Sequence, residues 1–476
     1  MQYPTIGFAR ARARAISATV LFSLCAMVAI GQETRTLDVD ASVKLALENN
    51  LSLQSSAIDV GIKKRSSENA LNALIPTVEL GGSLMRSNTA TTVSGTGVVG
   101  VTPAGSGIPV YDTVAIVPYS QSLSQWHVAG SISASLALNA GLFEAMNALK
   151  LKYAEGQISY EKAKAQLERD VRKSYYSILL LTENITLMEG NLSAALRRVQ
   201  QAEANYRAGL VPELTVLQAK VSAENLRPAL SELRNSLESS LAAFAMTLGL
   251  PRGTKLALAG AAESSYVTLD ANKLVQGASS QLDVQALKQS VAAMESTRKA
   301  TFFQVYTPTL QLYWNADPTL VGDPWKDSWL SSDWEQQSGM FRATLGFRLN
   351  GLLPMSSEAA GLKEMDDNIR KLNIALAQTV RGIELEIDSA VLKLEKSRTS
   401  AAALALNVEL AERAYRLSED AYKAGAKDLL DVQNAELELQ KAKLEVLKEK
   451  FNYITGLLDL EYAVGVPFGT ISGSAK

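Results

Sequence analysis

The side chains with the most versatile chemistry are scarce in this chain of 476 residues, which contains one histidine, His127, and one cysteine, Cys25. A structural zinc site takes four Cys or His ligands, so these two residues cannot build one. A Ser-His-Asp triad around His127 would need a serine and an aspartate held rigidly beside it, and the sequence identifies no such partners. We therefore predict no catalytic residues, no metal ligands and no bound cofactor.

The glycine-rich segment 95–100 matches the pattern G-x-G-x-x-G, which in dinucleotide-binding proteins joins a strand to a helix. Here Thr102 and Pro103 follow, with more glycine and proline beyond them, so no helix can begin at this turn. We interpret the segment as a surface loop rather than a nucleotide site. The net charge of −2 likewise gives no support for nucleic acid as a partner.

Residues 1–31 have the pattern of a signal peptide. Three arginines, at positions 10, 12 and 14, precede an uncharged apolar run, and small residues at 29 and 31 provide a cleavage site. A membrane anchor and a lipoprotein modified at Cys25 remain alternatives. No later segment reaches 18 uninterrupted apolar residues, so we expect an exported protein that can enter a membrane only through β-strands.

Several short motifs occur twice in the same order, which indicates a tandem duplication. The first pair is separated by 232 residues and the other two by 216 residues. The pairs are Pro76-Thr77-Val78-Glu79-Leu80 with Pro308-Thr309-Leu310-Gln311-Leu312, Tyr206-Arg207-Ala208-Gly209 with Tyr422-Lys423-Ala424-Gly425, and Leu248-Gly249-Leu250-Pro251 with Val464-Gly465-Val466-Pro467. We therefore predict two structural repeats, 32–265 and 266–476.

Each repeat is predicted to contain a helix, two short strands, one very long helix and a return helix. Prolines are absent between Pro118 and Pro212 and between Pro354 and Pro467, which leaves room for helices about 100 Å long. In the first repeat a helical stretch at 41–75 precedes strands at about 77–86 and 127–138 and helices at about 142–208 and 212–248. In the second repeat the helices are at about 281–306, 355–424 and 428–462, and the strands at about 309–315 and 340–349. A kink is expected at Pro228, inside the first return helix.

The last return helix carries two apolar stripes, each with a seven-residue spacing. The stripes are displaced by two positions, or about 200° around a helix, so they lie on nearly opposite sides. A helix with neighbours on both flanks suits a cylindrical wall, although a buried helix in a large bundle has the same pattern. The stripes are Leu430, Leu437, Leu444, Phe451 and Leu458, and Val432, Leu439, Val446, Tyr453 and Leu460.

The four strands alternate apolar and polar residues, as membrane barrels and half-buried soluble strands both do. Polar loops at 87–125 and 316–339 separate the strands of each pair, and the second loop contains three tryptophans, at 325, 329 and 334. Trp126, Tyr313 and Trp314 are placed at strand ends, so we predict an aromatic belt at one membrane boundary. Four strands alone would leave two unpaired edges in lipid, whereas three copies provide twelve strands and a lumen.

These features resemble the TolC-like outer-membrane efflux family. The resemblance rests on the duplication, the strand pairs, the long helices and the repeated Tyr-x-x-Gly turn, which leads to Val216 and Ala219 in one repeat and to Val432 and Ala435 in the other. It implies a homotrimer with a twelve-stranded membrane β-barrel and a long periplasmic α-helical barrel. It also implies a passive exit duct for tripartite efflux or type I secretion, with a periplasmic adaptor and an inner-membrane transporter as partners.

The resemblance further assigns residues to a periplasmic tip where the adaptor docks and the duct narrows. The tip residues are Gly209, Leu210, Val211, Gly425 and Ala426. At the aperture, Tyr422, Lys427 and Asp431 take the family's tyrosine, arginine and first aspartate positions, and Asn434 replaces the second aspartate. Thr215 and Leu214 stand where a partner aspartate and its polar neighbour are expected. Since lysine lacks the planar fork of arginine, we predict an aperture that is held shut weakly. Three Asp431 carboxylates around a narrow axis would attract cations, so we also predict a preference for cations there.

Two other functions remain open at this point. A soluble periplasmic adaptor or coiled-coil scaffold would explain the long helices but not four amphipathic strands with aromatic ends. An exported enzyme on a helical frame would have to work with Asp and Glu side chains, because histidine and cysteine are so sparse.

Overall fold

The computed structural model describes residues 35–86, 92–100, 114–122, 126–260, 266–277, 281–321 and 339–473. The predicted signal peptide and the tryptophans at 325, 329 and 334 lie outside these ranges. The chain divides into two compact units. The first, here called the helical unit, contains the residues up to Gly61, Glu155–Lys288 and the residues from Ile374 onward. The second, the sheet unit, contains Ile62–Ala154 and Gln289–Asn373.

Most described residues are helical, as predicted. The helices are α1 Val39–Asn49, α2 Leu51–Glu68, α3 Gly141–Arg207, α4 Glu213–Thr247, α5 Ala271–Val275, α6 Leu282–Tyr306, α7 Ser357–Lys423, α8 Leu429–Val464 and α9 Thr470–Gly473. The predicted helical stretch at 41–75 is divided, since Asn50 ends α1 in an extended conformation and a short 3-10 helix covers Asn69–Leu74. Helix α4 continues through Pro228, and the kink there stays a prediction.

Two hairpins of long helices meet in the helical unit: α3 with α4, here the first hairpin, and α7 with α8, the second hairpin. Apolar side chains from α3 and α4 form one core with the N-terminal strand β1 (Arg35–Leu37), which pairs in parallel with β6 (Leu256–Leu258). The Tyr175 hydroxyl donates to the carbonyl oxygen of Leu37 at 3.1 Å and anchors that strand. A second core joins α7 and α8 around the buried Tyr453.

Four strands of the sheet unit form one antiparallel sheet in the order β2-β5-β7-β9, and β3 and β4 pair separately from it. Their bounds are β2 Thr77–Arg86, β3 Thr92–Gly100, β4 Val114–Ser122, β5 Trp126–Leu138, β7 Thr309–Ala316, β8 Thr319–Val321 and β9 Gly339–Gly346. Strand β8 pairs with the start of β5, and Gly130 N–H donates to the carbonyl oxygen of Pro318 between the two ladders. Strand β5 is therefore bonded along most of its length to the β7–β8 segment.

Three predictions about the strands are wrong. Segment 87–125 is not simply a polar loop, because β3 and β4 form a two-stranded antiparallel ribbon within it. The G-x-G-x-x-G segment 95–100 is part of β3, where extended glycines pair with β4, and it is not a surface loop. The fourth strand ends at Gly346 rather than near 349, because a 3-10 helix over Leu349–Leu352 interrupts the alternation at an Asn-Gly pair.

Candidate functional site

The cross-strand register of the four-stranded sheet brings the apolar positions onto one face. Leu80 lies opposite Ile132, Ile132 opposite Ala316, and Trp314 lies between Ala134 and Phe341. The other face is largely polar, and its aligned residues include Glu79, Ser133, Asn315, Gln311 and Thr344. The predicted alternation is confirmed in all four strands, in the fourth as far as Gly346, so the sheet has one continuous apolar face.

Much of this apolar face is exposed in the single chain. Leu80 is 82% exposed, Leu345 is 71% exposed and Phe341 is 69% exposed. A large exposed apolar patch marks a surface that contacts another protein or a membrane. At about 25 cal/mol for each Å² of apolar surface, leaving such side chains in water costs free energy that burial would recover.

The sheet also has two free edges. Among the described residues, β2 pairs only with β5 and β9 pairs only with β7. On its outer side, each of these two strands therefore has backbone N–H and C=O groups that form no hydrogen bonds with another described strand. A sheet of this kind adds further strands readily, and in lipid it must do so because no water is present to satisfy those groups.

The three predicted interface aromatics do not lie at one boundary. Trp126 is the first residue of β5, where Arg86 lies over its ring at 5.4 Å. Trp314 pairs with Ala134, eight positions further along β5, or about 27 Å at the rise of a strand. Tyr313 projects from the polar face, opposite Ser135 and Arg342. The prediction of a single belt is wrong. Tyr313 and Trp314 were expected at the end of their strand, but the segment that pairs with β5 continues through β8 to Val321.

The two predicted tip turns have the same backbone conformation. Gly209 and Gly425 are left-handed, with φ of 76° and 73°, and each follows the last turn of a 67-residue helix. Leu210 N–H donates to the Asn205 carbonyl at 2.9 Å, and Ala426 N–H donates to the Ala421 carbonyl at 2.8 Å. These are Schellman caps, which satisfy the final carbonyl groups of a helix with a glycine in the left-handed position.

Substituting either cap glycine is expected to cost about 1 kcal/mol of folding free energy, because a side chain is strained at positive φ. The space around both glycines is open, so no steric clash adds to the cost. Gly209→Ala and Gly425→Ala should each lower the melting temperature of the purified protein. The matched control is Gly190→Ala, also in open space but within helix α3, where alanine should leave stability unchanged or raise it. Equal shifts in all three variants would contradict the cap assignment.

The residues assigned to the aperture differ in their surroundings. Tyr422 is half-buried and packs against an apolar cluster that joins both hairpins, and burial raises the pKa of its hydroxyl. The buried members of this cluster, here called the tip cluster, are Ala202, Val216, Ala219 and Leu429. The side chains of Lys427, Asp431, Asn434 and Leu214 are exposed, and Thr215 and Val211 are partly exposed. The structure thus places Tyr422 in the helix packing and leaves the charged aperture residues in water.

One interaction near the tip was missed in the sequence. Arg198 of α3 and Glu436 of α8 form an ion pair whose side chains are 11% and 12% exposed. Burial raises the pKa of Glu436 even though Arg198 lies beside it. The only signal in the sequence is the spacing: Arg198 lies eleven residues before Gly209, and Glu436 lies eleven residues after Gly425. Such a spacing does not by itself reveal a contact.

Comparison with known proteins agrees with the predicted resemblance. The family model described as outer membrane efflux protein matches residues 42–250, and no curated protein is significantly similar to the chain. The predicted resemblance to the TolC-like outer-membrane efflux family is confirmed. The predicted outer-membrane location is confirmed by the same family match, and this family is one of efflux proteins rather than of enzymes.

Solved structures of three outer-membrane proteins share the fold. The Campylobacter jejuni CmeC outer membrane channel has a TM-score of 0.70 at 14% identity, covering 92% of this chain and 87% of that one. The Vibrio cholerae outer membrane protein VceC has a TM-score of 0.68 at 16% identity, with 90% and 96% covered. The open state of the Neisseria gonorrhoeae MtrE outer membrane channel has a TM-score of 0.67 at 15% identity, with 90% and 89% covered.

Two further observations concern the part of the chain that the structure describes. None of their helices combines the length and the apolar character that a membrane-spanning helix requires. No group of three His, Cys, Asp or Glu side chains in that part of the chain is arranged to hold a metal ion.

Proposed function

We propose that the chain forms a passive exit duct in the outer membrane, as a homotrimer whose copies each contribute four strands to a closed barrel. The long helices would form a periplasmic tunnel, and a periplasmic adaptor would connect it to an inner-membrane transporter. The duct would serve a tripartite efflux pump or a type I secretion system. The transporter supplies the energy, because nothing in a passive duct couples transport to a chemical reaction.

The observation that carries this proposal is the sheet with one continuous apolar face and two free edges. Lipid would cover the apolar face, and neighbouring copies would pair with the edges. Two copies would give eight strands, whose interior is filled by side chains, whereas three copies give twelve strands and a lumen. The trimer is therefore the smallest assembly of this sheet that conducts.

The tip of the hairpins supports the second part of the proposal, which concerns the adaptor. Around the cap glycines Gly209 and Gly425, the neighbouring Ala426 is exposed and Leu210 is 73% exposed. Exposed apolar side chains beside a rigid turn suit a helical partner, which recognises a small apolar patch. We therefore assign adaptor docking to residues 209–211 and 425–426.

A soluble scaffold is the weaker alternative. It would need a partner to cover the apolar face of the sheet in water, whereas a membrane covers it without one. The deciding experiment is reconstitution of the detergent-extracted protein into a planar bilayer. The proposed duct predicts discrete conductance steps and a heat-modifiable, SDS-resistant oligomer. A protein that stays soluble without detergent and forms no conducting state would contradict it.

The aperture gives a specific prediction for the same recordings. Three exposed Asp431 carboxylates around a narrow axis would attract cations, so Asp431→Ala should reduce the preference for cations over anions. If the substitution weakens the attraction of a cation to the aperture by about 1 kcal/mol, the selectivity should fall roughly fivefold. Asp420→Ala removes an equal charge from an exposed position of the same hairpin and serves as the control. Unchanged selectivity in Asp431→Ala would contradict the assignment of this residue to the aperture.

A further inference from the structure

Exposed apolar side chains are present at the end of the sheet where its four strands join helical segments. At this end β2 begins at Thr77 opposite Ser135 of β5, and β9 ends at Gly346 opposite Thr309, the first residue of β7. One junction segment leads to or from each strand, so the four segments lie at the same end. Six exposed apolar residues of these segments are here called the junction collar: Leu71, Ile75, Phe143, Phe302, Leu349 and Leu353.

The junction collar continues the apolar face of the sheet. On β9 this face contains every second residue from Phe341 to Leu345, and Phe347 and Leu349 keep the same spacing after the strand has ended at Gly346. Phe347 is 42% exposed and Leu349 is 65% exposed. The apolar surface therefore extends past the hydrogen-bonded strands onto the segments that lead into the helices.

The position of the collar favours lipid over a second copy of the chain as its cover. Among the described strands of the sheet, only β2 and β9 have free edges, so another copy would pair beside these two. Phe143 follows β5 and Phe302 precedes β7, and both of these strands lie inside the sheet. Phe143 is nevertheless 67% exposed. A lipid leaflet reaches all four junction segments, because it surrounds the sheet without a gap.

Exposed lysines lie beyond the collar, on the side away from the sheet. Lys150 follows Phe143 by seven residues on α3, and Lys64 precedes Leu71 by seven residues, which is about 10 Å along a helix. Seven residues are about two turns, so Phe143 and Lys150 share one face of α3. Lys64 lies 3.7 Å from Glu68, and both side chains are more than half exposed. A phospholipid leaflet has the same order, with acyl chains first and then phosphate groups that attract lysine.

We propose that the junction collar lies in the periplasmic leaflet of the outer membrane, against the acyl chains of its phospholipids, with Lys64 and Lys150 at the level of the phosphate groups. This inference rests on the proposed function. The large helical part of this outer-membrane protein is periplasmic, so the end of the sheet that joins the helices faces the periplasm. The membrane contact then includes the beginnings of the helices, and the collar fixes the depth at which the chain sits in the membrane.

Spin labels on single cysteines test which medium surrounds each side chain. The whole protein is reconstituted into vesicles of phosphatidylethanolamine and phosphatidylglycerol, and collisions of the label with oxygen, which concentrates in hydrocarbon, are compared with collisions with a water-soluble nickel chelate. The only native cysteine, Cys25, lies in the predicted signal peptide. The water control is Arg370→Cys in α7, where the native side chain is 80% exposed. We expect the oxygen-to-nickel ratio to be roughly threefold higher or more at Phe143→Cys and Leu353→Cys, because the hydrocarbon excludes water.

Three further positions complete the depth profile. Leu345→Cys, on the apolar face of the sheet, is the lipid control, since the native side chain is 71% exposed in the single chain. Lys150→Cys should have a ratio between those of Phe143→Cys and Arg370→Cys, because the level of the phosphate groups contains water. If either collar variant fails to insert, Leu71→Cys provides a collar position on another junction segment.

A water-like ratio at Phe143→Cys and Leu353→Cys would overturn the proposal. Low accessibility to both oxygen and nickel would overturn it as well, since protein would then cover the collar. A ratio at Lys150→Cys that is equal to or above that of Phe143→Cys would contradict the position of the phosphate groups. The lipid control separates the two proposals: a high ratio at Leu345→Cys with a water-like collar rejects the collar alone, whereas water-like ratios at both reject the proposed duct.

Discussion

The variant Leu80→Lys is expected to be lost almost completely from the outer-membrane fraction. Leu80 lies opposite Ile132, near the middle of β5, and it is 82% exposed in the single chain. In water a lysine at such a position costs little, because nothing packs against it. In lipid a lysine near the midplane of a barrel costs about 2–4 kcal/mol in each copy. Three copies multiply that cost, so the effect on assembly should be large.

The matched control for Leu80→Lys is Ser133→Lys. Ser133 lies opposite Glu79, next to the Leu80–Ile132 pair in the register but on the polar face of the sheet. A lysine there should be tolerated beside the glutamate, and the variant should reach the membrane in nearly normal amounts. The measurement is the amount of SDS-resistant oligomer in the outer-membrane fraction. Equal recovery of both variants would show that lipid does not cover the apolar face.

The second large effect is expected for Glu461→Ala, which should lower the free energy of unfolding by about 3 kcal/mol or more. Glu461 is 1% exposed, and its carboxylate accepts hydrogen bonds from the N–H groups of Gly469 and Ile471 at 2.9–3.0 Å. Alanine would remove the charged acceptor that both N–H groups share, and a hydrogen bond to a charged group contributes about 1.5–3 kcal/mol. The segment that follows α8 would then lose its attachment.

Urea unfolding followed by circular dichroism measures this loss, and limited proteolysis reports whether residues 466–473 detach. Asp459→Asn is the control, because Asp459 is two residues away in the same helix but half-exposed and paired with Lys173 at 2.8 Å. A surface pair of this kind contributes about 1 kcal/mol or less. If Glu461→Ala and Asp459→Asn shift the urea midpoint equally, the buried carboxylate does not hold the C-terminal segment.

The features of the fold that depend on local periodicity could be predicted from the sequence. Alternation places Leu80 and Glu79 on opposite faces of any strand, and the observed register keeps the faces separate across the sheet. Proline and glycine mark the helix ends, so α3 and α7 begin and end within two residues of their predicted bounds. These features need no knowledge of what packs against the element.

The features that depend on contacts between distant residues could not be predicted. Segment 95–100 looks like a loop because of its glycines, and its pairing with β4 makes it a strand. Tyr422 and Tyr206 have the same local motif, yet one is packed and the other is exposed. The pairing of Arg198 with Glu436 depends on the rotation of two helices that are more than 200 residues apart in the sequence.

The number of copies in the membrane-extracted protein tests the central claim most directly, because the proposed duct closes the two free edges of the described sheet with other copies of the same chain. Native mass spectrometry of the detergent-solubilised protein measures this number. A closed twelve-stranded barrel predicts a single dominant species of three chains that dissociates only when it unfolds. A folded monomer, or a dimer with no trimer, would contradict the proposed duct.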